Sequence, residues 1–263
     1  MVGLCRRVSL GRPVSFRNRL MSEPARPSLS IVIAAYNERG RLGRSLEQIR
    51  DYAAGREPVE VIVVDDGSAD GTSEVVKGFD PGGLRLRLLR NPTNMGKGYS
   101  VRRGMRQAAG EALLMTDADL SAPIAEADKL LAALEEGFDV AIGSRHVPGS
   151  AVSGRSLRRR LMAWAFRLVR RCVLLGDLRD TQCGFKLFRR PAGQEIFARQ
   201  TERGFIFDCE ILALAGKLGY RIKEVGVVWR EDPDSRLRPV RDSIRMLIRL
   251  FRIRRRLKRM SPV

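Results

Sequence analysis

Residues 113–119 read Leu113-Leu114-Met115-Thr116-Asp117-Ala118-Asp119, an apolar run that stops at two carboxylates one residue apart. Alternate residues of a strand share a face, so Asp117 and Asp119 leave the carboxyl end of such a strand on the same side. In an open α/β sheet that edge is where ligands bind. Two neighbouring carboxylates raise each other's pKa unless a cation lies between them. A hard divalent ion carrying a phosphorylated substrate is one such cation. An Asp-rich turn that merely ends a strand has the same sequence.

Working outward, residues 28–35 (SLSIVIAA) and 59–64 (VEVIVV) are continuous apolar, β-branched runs of the kind that form buried parallel strands. Further strands are expected over 84–89, 139–142 and 222–229. Between them, Leu42, Leu46 and Ile49 at core-facing spacing predict a helix over 39–53, closed by Gly55. The loop 91–98 opens a helix to about residue 109, Pro123 starts one to about 136, and residues 204–210 lead another to about 218. Alternating strand and helix predict an α/β fold with a Rossmann-like, mostly parallel central sheet and helices on both faces. In such a sheet Tyr36-Asn37-Glu38, Asp65-Asp66, Asp117–Asp119 and Ser144-Arg145 end strands on one rim and converge on one crevice.

The chain has 263 residues and 44% hydrophobic content, enough for a large core. Its four cysteines show no C-x-x-C spacing, and His146 is its single histidine. Histidine-rich metal sites are therefore excluded, and no G-x-S-x-G elbow accompanies His146. The loop Gly96-Lys97-Gly98 matches neither the dinucleotide fingerprint nor a phosphate-binding loop with its Lys-Ser/Thr ending. The formal charge of +19 is concentrated in residues 1–26 (+5), 152–175 (+7) and 235–263 (+10), leaving a nearly neutral remainder. Such patches seek polyanions: nucleic acid, anionic lipid or phosphorylated substrates. No run approaches the apolar length of a transmembrane helix, and residues 1–27 read as a basic, disordered leader, with Met21 as an alternative start.

The stretches SIVIAAYNE, VIVVDDGSADGT, NPTNMGKG and LLMTDADLS, in this order over residues 28–145, resemble the donor half of family 2 glycosyltransferases with the GT-A fold. RDTQCGFKLF, FDCEIL and EVGVVW, up to about residue 235, resemble the dolichyl-phosphate glucosyltransferase branch, close to the polyprenyl-phosphate mannosyltransferases. The resemblance implies an inverting hexosyltransferase that uses Mg²⁺ or Mn²⁺. UDP-glucose is the favoured donor and a polyprenyl or dolichyl phosphate the acceptor; GDP-mannose, or a soluble or saccharide acceptor, are the alternatives. Carried over, Tyr36, Glu38, Asp65 and Asp66 would hold base and ribose, with Lys97, Asp117 and Ala118 on the nucleotide sugar and Asp119 on the metal.

The acceptor phosphate is already anionic and can attack directly, so cations are needed more than a general base. Arg145, Arg159 and Lys186 are the candidates for that phosphate, with Arg145 beside the chemistry. Asp208 and Glu210 are candidates for a base or for orienting the acceptor.

The expected organisation is a leader (1–27), a glycosyltransferase domain (28–235, divided at 145/146) and a basic amphipathic helix (236–263). In the last, Ile244, Leu247, Ile248 and Phe251 alternate with arginines, as suits an anionic membrane surface. Association is then expected to be peripheral, on the cytoplasmic face of a membrane. A nucleic-acid-binding protein would explain the basic segments but not four polar strand ends on an acidic rim.

Overall fold

The computed structural model describes residues 27–56, 58–153, 178–230 and 239–260. The expected leader and Arg159 with its basic segment lie outside the described residues.

The chain runs β1 (Leu29–Ala35), α1 (Arg39–Ala53), β2 (Val59–Asp65), α2 (Thr72–Lys77), β3 (Arg85–Arg90), α3 (Lys97–Gln107) and β4 (Ala112–Asp117). A 3₁₀ turn (Ile124–Glu126) leads into α4 (Ala127–Glu135), then β5 (Val140–Ser144) and β6 (Ala151–Ser153). After the undescribed segment come β7 (Lys186–Arg189), α5 (Arg190–Arg199), α6 (Phe207–Lys217), β8 (Ile222–Gly226), β9 (Val228–Arg230) and α7 (Pro239–Arg259).

Seven strands form one sheet in the order β3-β2-β1-β4-β7-β5-β8. Its pairs are parallel except where β7 runs antiparallel between β4 and β5. The expected mostly parallel sheet is thus present. β7 went unanticipated, because a strand beginning with lysine does not read as a buried one. The run 222–229 divides at Gly226-Val227: β8 continues the main sheet beside β5, and β9 pairs with β6 in a separate ribbon. Gly226 lies against the backbone at Pro148 and Gly149, so the chain turns there rather than running straight on.

The strands alternate their side chains between two cores, as the pleat requires. Ile31, Ile33, Val61, Val63 and Leu114 pack with α1 and α4 on one face. Val32, Ile62, Val64, Leu113 and Met115 pack with α3, α5 and α6 on the other. The burial of β1 and β2 on both faces explains their unbroken apolar sequences.

The C-terminal helix packs into the second core through Leu250, Ile253 and Leu257, while Ile248 and Phe251 are exposed. It is therefore docked on the domain along one stripe and open along another. Among the described residues no helix is long and apolar enough to cross a membrane.

Close approach of α3 to β1 and β2 depends on Gly104, where an added Cβ would collide with the Cγ1 of Val32 and meet the Cγ2 of Val64 at 3.0 Å. Both valines are stiff and fully buried. Gly104→Ala should lower stability by about 1–3 kcal/mol through overpacking. Urea unfolding should show a lower midpoint with an unchanged slope.

Candidate functional site

The register pairs Ala35 with Asp65 and Ala34 with Asp117, so the ends of β2, β1 and β4 are neighbours on one rim. The loops beyond are laced together. The Asn37 amide donates to Ser68 Oγ at 2.9 Å, the Glu38 amide to Thr72 Oγ1 at 2.8 Å, and the Ala69 amide to Asn37 Oδ1 at 3.0 Å. Tyr36 is 40% exposed at this edge. Glu38 accepts from Arg41 Nε at 2.8 Å and pairs with its NH2 at 2.6 Å.

Asp65 and Asp66, expected to meet base and ribose, are buried. Asp65 accepts from the Ser68 amide at 2.8 Å and from the Ser73 hydroxyl. Asp66 accepts from Asn91 Nδ2 at 2.7 Å and from the Met95 and Gly96 amides at 2.9 and 2.8 Å. These carboxylates satisfy the backbone of two loops at the rim. Both brace the loops that shape the crevice, and contact with base and ribose stays an expectation for them.

The centre of the site is the Asp117 carboxylate, in an ion pair with Lys97 from the first turn of α3. Asp117 also lies flat against Gly184, where an added Cβ would come within 2.7 Å of its Cγ. Burial alone would raise the pKa of Asp117, but Lys97, with Lys186 and Arg145 behind it, holds the carboxyl below its usual range. Burial likewise pulls Lys97 down, yet Asp117, Asp208 and Asp119 together hold it charged. Ala118 is buried, and its carbonyl accepts from Ser45 Oγ of α1 at 2.7 Å.

Asp119 differs from its neighbours. Its Oδ1 accepts from the amide and hydroxyl of Ser121, both at 2.9 Å, across a turn in which Leu120 takes a φ of 47°. Burial, and then Asp117, raise its pKa. A hard divalent cation would reverse that shift, and the chemistry fits: one oriented carboxylate, with the remaining positions left to water and substrate phosphate oxygens, is how Mg²⁺ and Mn²⁺ are commonly held. Among the described residues no cluster of three or more His, Cys, Asp or Glu side chains is placed to hold a metal.

On the acceptor side, Arg145 at the end of β5 is committed to Asp180. Its Nε and NH2 reach the two carboxylate oxygens at 2.7 and 2.9 Å, and its guanidinium stacks 4.9 Å from the Trp229 ring centroid. Lys186, expected to face an acceptor phosphate, is completely buried in an ion pair with Asp208 and also donates to the Cys183 carbonyl. That expectation is corrected, because a phosphate cannot reach an ammonium enclosed by those partners. Asp208 is buried too; burial, only partly offset by Lys186, raises its pKa.

Glu210 leaves the site altogether. It accepts from the Thr201 and Glu202 amides at 3.0 and 2.7 Å and pairs with Arg256 of α7. Its expected role as a base gives way to that of an anchor. Asp180 and Gly184 were both within the quoted stretch 179–188, but their partners lie far away in sequence, so nothing local marked them.

A family model described as "Glycosyl transferase family 2" matches residues 30–197. The chain belongs to glycosyltransferase family 2. It is 37% identical over 240 residues to a dolichyl-phosphate beta-glucosyltransferase of Drosophila melanogaster, covering 86% of this chain and 74% of that enzyme. The human dolichyl-phosphate beta-glucosyltransferase is 34% identical over 226 residues, covering 80% of this chain and 70% of the relative. In fold, it is similar to glucosyl-3-phosphoglycerate synthase from Mycobacterium tuberculosis, solved with Mn²⁺, UDP-Glc and phosphoglyceric acid. That likeness has a TM-score of 0.66 at 18% identity, over 90% of this chain and 81% of that one. Mannosyl-3-phosphoglycerate synthase from Rubrobacter xylanophilus gives 0.64 at 20% identity, over 88% and 74%. The chain is thus an enzyme of the hexosyltransferase type, with the expected GT-A architecture.

Gly184 sets where the Asp117 carboxylate can lie. Gly184→Ala should displace it from Lys97 and lower glycosyl transfer by about 100-fold, the scale of a misplacement near 1 Å. Near-unchanged thermal unfolding alongside that loss would locate the effect in the site rather than in the fold.

Proposed function

We propose that this enzyme moves glucose from UDP-glucose to a polyprenyl phosphate of the dolichyl type, with inversion at the anomeric carbon. The observation that carries the reading is Asp119: an oriented carboxylate with a raised pKa, on a rim where Asp117 already has its lysine. Support for the sugar and acceptor comes from relatives at 34–37% identity named dolichyl-phosphate beta-glucosyltransferases. A GDP-mannose donor, or a soluble or saccharide acceptor, are the alternatives on the same fold.

In this reading an oxygen of the acceptor phosphate forms the bond to the anomeric carbon as the bond to the donor diphosphate breaks. No proton need be removed from an ionised phosphate monoester, so a strong general base is dispensable. A Mg²⁺ or Mn²⁺ ion held by Asp119 would neutralise charge on the departing diphosphate. Lys97 keeps Asp117 ionised and fixed against Gly184, so that it can orient the donor sugar. Tyr36 and Glu38 edge the nucleotide pocket, whose loops Asp65 and Asp66 hold in shape. Arg145, steadied by Asp180 and Trp229, is the described candidate cation on the acceptor side. Incubation with lipid extract and a panel of radiolabelled nucleotide sugars should place label from UDP-glucose in a lipid product. EDTA or Asp119→Ala should abolish it. Label confined to water-soluble product would exclude the lipid acceptor, and EDTA-insensitive transfer would exclude the metal.

A lipid acceptor asks for membrane contact, and α7 suits it. Ile248 and Phe251 are 52% and 54% exposed. Arg252, Arg254, Arg255, Lys258 and Arg259 are exposed along the same helix. We read this face as a peripheral contact with an anionic membrane, on its cytoplasmic side. Sedimentation with vesicles rich in anionic lipid should capture the protein at about 0.1 M salt and release it toward about 1 M, as the screening length falls from about 10 Å to about 3 Å. Replacing both Ile248 and Phe251 with serine should weaken capture at low salt; undiminished capture would exclude this face.

A further inference from the structure

Lys186 opens β7 in the middle of the sheet, paired with Met115 of β4 on one side and Ile142 of β5 on the other. Alternate residues of a strand share a face, so Lys186 and Asp117 leave the sheet on the side where Phe188 and Met115 fill the second core. Continuing the β4–β7 register by two positions sets Gly184 across from Asp117, and there the carboxylate lies against the glycine. The Lys186 side chain runs back under that turn. Its ammonium donates to the Cys183 carbonyl and pairs with Asp208 from the first turn of α6. At the other end of the turn, the Gly143 amide donates to the Phe185 carbonyl at 2.8 Å. Residues 183–185 are thus tied to β5 and α6, and Gly184 between the ties is the surface on which Asp117 rests. The start of α3 is fastened to the same region: Gln200 Nε2 donates to the Gly98 carbonyl at 2.9 Å and the Tyr99 amide to the Arg203 carbonyl at 3.2 Å.

Stability does not account for this lysine. A buried ion pair is often matched or exceeded in stability by apolar residues of similar volume, and Leu187 and Phe188 beside it already fill the two cores. Apolar residues could not supply a donor to the Cys183 carbonyl. The buried charges also reach the rim: Lys186 helps to hold the Asp117 carboxyl ionised, and Asp208 helps to hold Lys97 charged.

We propose that Lys186 is a positioning residue for glycosyl transfer: it braces residues 183–185 from beneath, and so sets where the Asp117 carboxylate lies against Gly184. Asp208 aims the ammonium that does this. The proposal rests on the reading of Asp117 as the group that orients the donor sugar. It adds the layer beneath, which fixes that carboxylate without touching substrate.

The full chain would be assayed for transfer from UDP-glucose to polyprenyl phosphate, with UDP affinity in the presence of Mn²⁺ measured by calorimetry. The paired change Lys186→Met with Asp208→Leu removes both charges at similar volume and should leave the thermal midpoint near that of the wild type. It should lower kcat about tenfold, a smaller displacement than the roughly 1 Å that costs about 100-fold. UDP affinity should hold, since UDP carries no sugar for Asp117 to orient. Adding Gly184→Ala should bring transfer little below that of Gly184→Ala alone, because both changes act through one carboxylate. A product of the two losses, about 1000-fold, would mean independent routes and overturn the proposal. So would an unchanged kcat in the paired variant, or UDP affinity that falls in step with kcat. Asp208→Asn keeps the accepting oxygen with little change of shape, so it tests the brace even where the paired variant does not fold. It should cost about threefold in kcat, the scale of one weakened hydrogen bond. Complete loss would show that the acid itself takes part, and would overturn the brace. Asp117→Asn that transfers at the wild-type rate would instead overturn the reading of Asp117, whereas the other outcomes bear on Lys186 alone.

Discussion

The ion pair between Lys97 and Asp117 is the constraint around which the rim is built. It joins the first turn of α3 to the end of β4 while the same carboxylate lies on Gly184, so three distant stretches of chain meet at one charge. In a partly buried place the pair is worth keeping only if both members stay charged and bonded, because removing one strands the other. The surroundings follow that logic: Asp208 has Lys186, Asp180 has Arg145, and Asp117 has Lys97. Asp119 breaks the series. Its partner is the neutral Ser121, and its neighbours leave its proton affinity raised. Among these four acids only Asp119 has no ion pair of its own, which is a more specific signal than two aspartates in a sequence.

Much of the fold was legible because its strongest determinant is local. A run such as residues 59–64 is apolar on both faces only where both faces are covered, and β2 is indeed buried throughout. β7 was not legible for the complementary reason. Its first residue is a lysine, tolerated in the middle of a sheet because Asp208 lies beside it in space but 22 positions away in sequence. The division of residues 222–229 between two sheets likewise depends on how closely Gly226 meets the turn at Pro148 and Gly149. Local periodicity carries neither fact.

The site was legible in position but not in direction. Strand ends place Asp65, Asp66, Asp117 and Asp119 on one edge, yet which way a carboxylate turns depends on the amides that need an acceptor. Asp66 is claimed by Met95 and Gly96, and Asp65 by Ser68. A buried amide left without a partner costs about as much as a lost hydrogen bond, so these amides fix how the two carboxylates lie. The face of α1 that borders the Asp119 turn was not legible for a related reason: only the Ser45 bond to Ala118 reveals it.

The C-terminal helix shows how a surface element and a catalytic rim can be tied by a single turn. The first turn of α6 carries Asp208 and Glu210, two residues apart and so on different sides of the helix. Asp208 reaches inward to Lys186 beneath the rim, while Glu210 reaches Arg256 of α7. Arg249 adds a 2.9 Å pair with Glu202, and Leu250, Ile253 and Leu257 fill the core between. Arg249 and Arg256 are thereby engaged in holding it, and Arg252, Arg254, Arg255, Lys258 and Arg259 are exposed along with Ile248 and Phe251. A helix free to roll could bury its whole apolar side in lipid, but this one cannot without giving up its place in the core. The face it would offer to a membrane is therefore fixed by the turn that also bears Asp208. Any lipid surface contacting Phe251 would meet the acidic rim in one orientation, as transfer to a lipid-linked phosphate requires.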